Sequence, residues 1–340
     1  MIFDICIAGA GAVGGMLARE LSRYKLNICL LDRENDAACG ATKANSAIVH
    51  GGFDPVPGTL KAKLNVRGIP LLKKASEELH FSFLPNGSMV TALQEQEKGK
   101  LFSLMERGRQ NGAKGLELLS GEQAKNLEPY LSDKTVGALL SKEAAITSPY
   151  ELTLAAVGNA MDNGVTFLRN FEITSITKEN EIFELISADT QRVQCRYLVN
   201  CAGGFADRIA RLCGDDFFEI LPRAGEYLLL DKTEGKRVSH TIFRLPDENG
   251  KGILVAPTVD GNLLAGPTAR PVSSFESNET TAAGLEAVRA AALRSVPSVD
   301  FSKVITSFCG VRASTAGGDF IIQASERMEN LVHCAASGEP

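Results

Sequence analysis

A glycine run wedged between an apolar strand and an amphipathic helix at the start of the chain constrains the fold more than any other feature. Ile2–Ala8 reads as a short buried strand, and Gly9-Ala10-Gly11-Ala12-Val13-Gly14 follows at once. From Gly14 to Tyr24 the periodicity is helical, with Met16, Leu17 and Leu21 on one face. Asn27 to Asp32 reads as a second buried strand, which completes a βαβ unit. The G-x-G-x-x-G spacing suits a dinucleotide. Its first glycine permits the tight turn, its second lets backbone approach a pyrophosphate, and its third lets the helix pack close to the sheet. Asp32 then stands where a ribose hydroxyl can be bound. NAD and FAD both use such a unit, and a set of chance glycine turns is the bland alternative.

At 340 residues the chain has room for two domains, or for one α/β domain with a large insertion. A net charge of −5 gives no support for nucleic-acid or acidic-membrane binding. The eight cysteines include no C-x-x-C pair, so no zinc or iron–sulfur pattern is encoded. Several, such as Cys6 and Cys29, sit inside apolar runs and read as buried free thiols in a reducing cytoplasm. The opening apolar run has no basic segment before it and no cleavage site after it, so it is not a signal peptide. No apolar stretch reaches the roughly 18 residues of a membrane helix. The expectation is a cytoplasmic protein, at most peripheral to a membrane.

Further along, residues 66–80 and 95–112 look helical, the second charged and solvated, and Pro149 opens a helix to about Asn163. Strands are expected at Val165–Leu168, Glu172–Thr177, Ile182–Ala188 and Val193–Val199, then a helix from Phe205 to Cys213. Tyr227–Leu230, Thr241–Phe243, Gly252–Ala256 and Leu263–Ala265 read as an antiparallel sheet. An alanine-rich helix follows at 279–295, and Asp319–Gln323 and Leu331–Ala335 return to strand composition. Leu198–Gly204 is a buried strand ending in paired glycines, which lets a second strand end pass close to a nucleotide; a plain strand-to-helix turn is the alternative. Arg312 lies in a Gly-Val-Arg turn between apolar segments, and an arginine so placed calls for an anion or a structural salt bridge. Among the four histidines only His50 is flanked by glycines that could admit a ligand; His80, His240 and His333 read as structural or surface residues.

The opening unit, Asn45-Ser46 through His50-Gly51-Gly52, and Asn200–Gly204 together resemble the D-amino-acid-oxidase superfamily of FAD oxidoreductases. The likeness is strongest to the L-2-hydroxyglutarate dehydrogenase/oxidase and glycerol-3-phosphate dehydrogenase group. It continues through Pro222–Tyr227, Gly261–Pro267 and Gly310–Ala313, nearly the whole chain. The resemblance implies an α/β fold, with a Rossmann-like FAD-binding domain of the GR2 type and an α+β substrate domain on an antiparallel sheet. Residues 1–80, 145–215 and 303–340 would form the first domain, and 81–144 and 216–302 the second. It implies FAD as cofactor, held by Gly9, Gly11, Gly14, Asp32, Thr42, Asn45, Ser46, Ile173, Ala202 and Gly203, with no metal. Thr42 to Ser46 would follow the pyrophosphate and flavin edge, and Ile173 would meet the adenine through its backbone. His50 would sit beside the isoalloxazine and take or orient the substrate hydroxyl proton, and Arg312 would grip a carboxylate through two hydrogen bonds.

The implied reaction is oxidation of the CH–OH group of a small anionic 2-hydroxy acid such as L-2-hydroxyglutarate, by hydride transfer to flavin. Glycerol-3-phosphate dehydrogenases carry an Arg-Tyr pair after His-Gly-Gly, whereas this chain has Phe53-Asp54-Pro55 and then Pro57-Gly58-Thr59-Leu60-Lys61-Ala62, which resembles the hydroxyglutarate enzymes. Glycerol-3-phosphate is the alternative substrate, with Lys61, Lys63, Arg67 or Arg270 as phosphate contacts. A non-catalytic flavin-binding or partner-docking subunit and an NAD dehydrogenase are readings of other classes. The electron acceptor is open between oxygen, quinone and a protein partner. The family places a glycine-rich turn and a helix after its last strand, and the sequence stops at Ala336–Pro340, so a truncated chain with its C-terminal FAD element missing is expected.

Overall fold

The computed structural model describes residues 1–245 and 252–335, so the expected turn at 336–340 lies outside the described residues. β1 (Ile2–Ala8) and β2 (Ile28–Leu31) pair in parallel, with Cys6 opposite Cys29, and α1 (Ala12–Leu21) crosses between them. Cys6, Ile7, Cys29 and Leu30 are wholly buried, so the run is apolar without alternation, as a strand covered on both faces should be. On the other side β1 pairs in parallel with Arg192–Asn200, with Ala8 opposite Asn200. That strand shares its far edge: its first half pairs with Ile182–Ser187 and its last three residues with Leu331–Ala335. With Thr166–Leu168, Ile173–Glu179 and Ile321–Ala324 these make an eight-stranded sheet.

The helix Pro149–Asp162 covers one face of this sheet. Ser148 caps it by accepting from the Glu151 N–H, and Pro149 takes the first turn, where no N–H is needed. Its Val157 and Ala160 pack in one cluster with Ala18 of α1, and a Cβ on Gly15 would come 3.1 Å from the Val157 side chain.

A nine-stranded sheet holds most of the remaining strands. It is mixed rather than antiparallel: Thr241–Arg244 lies parallel to Ser88–Ala92, which the sequence pattern had not flagged as a strand. Ser88–Ala92 and Gly137–Ser141 are buried at every position, so neither carries the alternation that marks a half-exposed strand. The largest difference concerns Arg312, which lies in no turn. Val304–Ser314 is one continuous strand antiparallel to Leu221–Leu230, with Arg312 opposite Arg223 and Gly310 opposite Gly225. Gly310 is required by a close approach, since a Cβ there would overlap the carbonyl of Ala44. Val304–Ser314 belongs to the nine-stranded sheet, and Ile321–Ala324 and Leu331–Ala335 to the eight-stranded one. A three-stranded sheet of Ile48–Val49, Ala145–Thr147 and Phe83–Leu84 lies outside both.

Two helices also differ from expectation. The helix expected at 66–80 is Leu60–Leu79; Thr59 caps its start, and the Asp319 carboxylate, far along the chain, accepts from the N–H groups of Leu60 and Lys61. Lys98–Gln110, read as solvated, buries Leu101, Met105 and Gly108 and packs on Phe53. Among the described residues no helix is long and apolar enough to cross a membrane.

Glu128, 2% exposed, accepts from the N–H groups of Ser239 and His240, from the Ser239 hydroxyl and from Nδ1 of His240. Burial pushes its carboxyl up, but the bonds from His240 and Ser239 outweigh that and hold it below the usual carboxylate range. Its stabilisation is therefore present above an unfolded value near pH ~4.3 and is lost as pH falls through the lower folded value. Glu128→Gln is expected to cost about 1.5–3 kcal/mol at pH 7. Urea midpoints should show that deficit at neutral pH and a smaller one at pH 3.

Candidate cofactor and substrate cavities

A cavity of about 520 Å³ opens where β1, β2 and Arg192–Asn200 present their carboxyl ends. Gly9, Gly11, Asp32, Thr42, Ile173, Ala202 and Gly203 line it, with Gly310 and Val311 from the other sheet. Gly9 holds φ +107°, and a Cβ on it would overlap the carbonyl of Cys201. A Cβ on Gly14 would overlap the carbonyl of Gly9, so this third glycine faces the turn and not the cavity. The Asp32 carboxylate is held by two backbone donors, Ala10 N–H at 2.6 Å and Glu34 N–H at 2.9 Å. Burial raises its pKa against these bonds, and its remaining lone pairs suit neutral hydroxyl donors. The Thr42 hydroxyl accepts from the Ala12 N–H at 3.1 Å, tying the 41–43 turn to the start of α1.

Behind Ala202 and Gly203 lies a wholly buried polar chain. The Asn200 amide donates to the Ala206 carbonyl at 2.7 Å and to Nδ1 of His333 at 3.1 Å, so Nε2–H of His333 donates to Asp215 at 2.9 Å. His333 is thus a structural histidine that fixes the Cys201–Phe205 turn. At the cavity mouth Phe205 is flanked by the guanidinium groups of Arg33, 3.9 Å from its ring centre, and Arg208, at 4.7 Å.

A second, smaller cavity of about 80 Å³ lies against the nine-stranded sheet. Ser46, His50, Asp54, Arg244 and Arg312 line it among Phe53, Val90, Leu104, Phe243 and Leu254. His50 stacks on Phe243 with ring centres 6.1 Å apart. Arg312 spends one nitrogen, Nη2, on the Thr268 carbonyl at 3.2 Å, and its Nη1 is buried without a hydrogen-bond partner among the described residues. A buried guanidinium donor left unpaired is costly and suits a cavity made for an anion. Gly225 gives that guanidinium its room, since a Cβ there would come 2.9 Å from Nη2.

The sequence reading missed Tyr227, which is 2% exposed, stacks on Phe308 at 4.7 Å and shares a 3.0 Å hydrogen bond with the Ser46 hydroxyl. Burial pushes its phenol up, while Arg312 and Ser46 pull it down. It also missed Arg244, which only the closing of the sheet brings to the cavity. The Asn45 side chain bonds within its own loop: its amide donates to the Ala41 and Thr42 carbonyls and accepts from the Ala47 N–H, where Ala47 holds φ +58°. Ser46 faces the smaller cavity rather than the larger. None of Lys61, Lys63, Arg67 and Arg270 lines the smaller cavity.

The larger cavity fits the expected FAD: its glycines leave backbone open at Gly11 and Gly203, and a buried carboxylate stands at the ribose position. Gly14→Ala is expected to force α1 away from the turn and abolish flavin retention, measured as the 450 nm to 280 nm absorbance ratio after gel filtration. Tyr227→Phe should keep flavin but release the Ser46 hydroxyl at the wall of the smaller cavity. Losing one hydrogen bond of about 0.5–1.5 kcal/mol should raise the KM of an anionic substrate by roughly three- to tenfold, with kcat less affected.

Comparison with known proteins follows the same lines. A glycerol 3-phosphate dehydrogenase of Caloramator mitchellensis is 41% identical over all of this chain and 70% of its own length. The human mitochondrial L-2-hydroxyglutarate dehydrogenase is 32% identical over 78% of this chain and 61% of that protein. Among solved structures, the dithionite-reduced L-alpha-glycerophosphate oxidase of Mycoplasma pneumoniae with FAD bound superposes with a TM-score of 0.94, at 29% identity, over 98% of this chain and 89% of that one. The family described as FAD dependent oxidoreductase (DAO) matches residues 4–340, and the chain belongs to that family, with FAD as its cofactor.

Proposed function

We propose that this oxidoreductase oxidises the secondary alcohol of a small dianion, with glycerol 3-phosphate the leading substrate. The observation that carries the reading is the unpartnered Nη1 of Arg312 in an 80 Å³ cavity that also holds His50 and Arg244. Such a volume holds on the order of half a dozen waters. That suits a three-carbon phosphate or a five-carbon diacid. Two arginines against the single carboxylate of Asp54 favour an anionic substrate over a neutral polyol. Similarity over the full chain to a glycerol 3-phosphate dehydrogenase supports the phosphate ester.

L-2-hydroxyglutarate is the second reading, supported by the similarity to the human enzyme and by the Pro57–Ala62 run. That run has a structural use as well, since it forms the cap and first turn of Leu60–Leu79 and lines neither cavity.

FAD supplies the two-electron acceptor for the hydride lost by the alcohol carbon. Arg312 binds the anionic group through its free Nη1, and Arg244 adds a second positive charge. The His50 imidazole accepts the hydroxyl proton as the carbon is oxidised. Phe53, Leu104 and Phe243 keep water from the reacting carbon. Electrons leave to an acceptor of the oxygen, quinone or protein class.

Removing Arg312 tests the anion assignment. Arg312→Ala is expected to lower kcat/KM for glycerol 3-phosphate by about a hundred- to a thousandfold, the 3–4 kcal/mol scale of a lost buried charge pair. Arg312→Lys should fall in between, because it keeps the charge but loses the fork. Turnover of neutral glycerol, slow in every form, should not change. An equal loss on glycerol and on glycerol 3-phosphate would remove Arg312 from anion binding.

A further inference from the structure

Two cysteines stand side by side beneath the cofactor turn. The strands Arg192–Asn200 and Leu331–Ala335 run parallel with Asn200 opposite His333, so Cys201 and Cys334 are the next pair along. Neighbouring strands lie about 4.8 Å apart, inside the roughly 4.4–6.8 Å Cα separation that a disulfide accepts. Asn200 and His333 bond each other on one face of the sheet. Alternation sends the two cysteines to the opposite face, where both pack with Ile7, Ala10 and Ala18. Cys201 is 5% exposed and Cys334 is half-buried, so Cys334 is the more accessible residue of the pair.

We propose that Cys201 and Cys334 are a dithiol–disulfide pair oxidised by hydrogen peroxide, with Cys334 the attacking thiol and Cys201 the resolving one. The Cys334 thiolate attacks one peroxide oxygen and breaks the O–O bond, giving a sulfenic acid; the hydroxide released takes a proton and leaves as water. The Cys201 sulfur then displaces the sulfenic hydroxyl, forming the S–S bond and a second water. Two thiols and one peroxide thus yield one disulfide and two waters. The order of attack follows from the surroundings. Cys334 is the less buried of the two and meets peroxide first, while Cys201, 5% exposed beside it, is placed to resolve the sulfenic acid.

The remaining thiols do not offer this arrangement. Cys6 adjoins both Cys29 and Cys195, but all three are sealed at 0% exposure; Cys213 and Cys309 are buried at 4% and 8%, and neither they nor Cys39 have a cysteine among the groups acting on them. A Cβ on Gly14 would come 3.4 Å from the Cys201 Cβ, and the Cys201 carbonyl abuts Gly9. The bond would therefore lock the cofactor turn to the strand Leu331–Ala335.

The test is peptide mapping of the FAD-loaded protein after treatment with hydrogen peroxide and blocking with N-ethylmaleimide. The expected result is a Cys201–Cys334 linked peptide, lighter by two hydrogens, that dithiothreitol reverses. Cys6, Cys29 and Cys195 should be alkylated only after unfolding. In Cys201→Ser, checked for folding by its flavin absorbance, dimedone should trap Cys334 as sulfenic acid. Cys334 left reduced while Cys39 oxidises, or a disulfide joining Cys334 to any other cysteine, would overturn the proposal. The wild-type map needs no variant, so it decides even if Cys201→Ser misfolds.

Discussion

Three places where backbone passes backbone with no room for a methyl group organise this molecule. At Gly9 the end of β1 abuts the Cys201 carbonyl, and at Gly14 the first turn of α1 abuts the Gly9 carbonyl. At Gly310 the long strand Val304–Ser314 abuts Ala44. The first two contacts bring one helix start and two strand ends together, so that backbone rather than side chains faces the larger cavity. The third brings the nine-stranded sheet onto the 41–46 loop, which carries Thr42 into one cavity and Ser46 into the other.

The smaller cavity depends on a charge that the fold leaves half satisfied. Arg312 and Tyr227 stand on the same face of two paired strands, with Gly225 and Gly310 between them and Phe308 stacked beneath the phenol. Arg312 is half-buried, but its Nη1 is buried with no hydrogen-bond partner among the described residues, a cost that the packing of the sheet must offset. Such an arrangement is hard to account for as a stabilising device. It is the arrangement expected of a site whose missing partner is an anion.

How much could be read from the sequence follows from what each contact depends on. The βαβ unit, the Asp32 position and the Asn200–Gly204 turn rest on local periodicity and glycine spacing, and they appear nearly where expected. Arg312 was legible as a buried charge, but its element was not, because a glycine required by a close approach reads the same as a glycine required by a turn. Ser88–Ala92 and Gly137–Ser141 are buried on both faces and so offered no alternation. Tyr227 and Arg244 reach the site only through pairing between distant strands, as Asp319 reaches the helix Leu60–Leu79. Asn45 was read for its type and neighbours, whereas its hydrogen bonds go to its own loop.

The central claim is that a flavin and an anion-binding arginine act together on one alcohol. Anaerobic titration of the FAD-loaded protein, followed by absorbance near 450 nm, tests it most directly. Glycerol 3-phosphate is expected to bleach the flavin stoichiometrically, L-2-hydroxyglutarate to do so more weakly, and neutral glycerol at equal concentration to leave the spectrum unchanged. A spectrum unmoved by both anions, or bleached equally well by glycerol, would contradict the account.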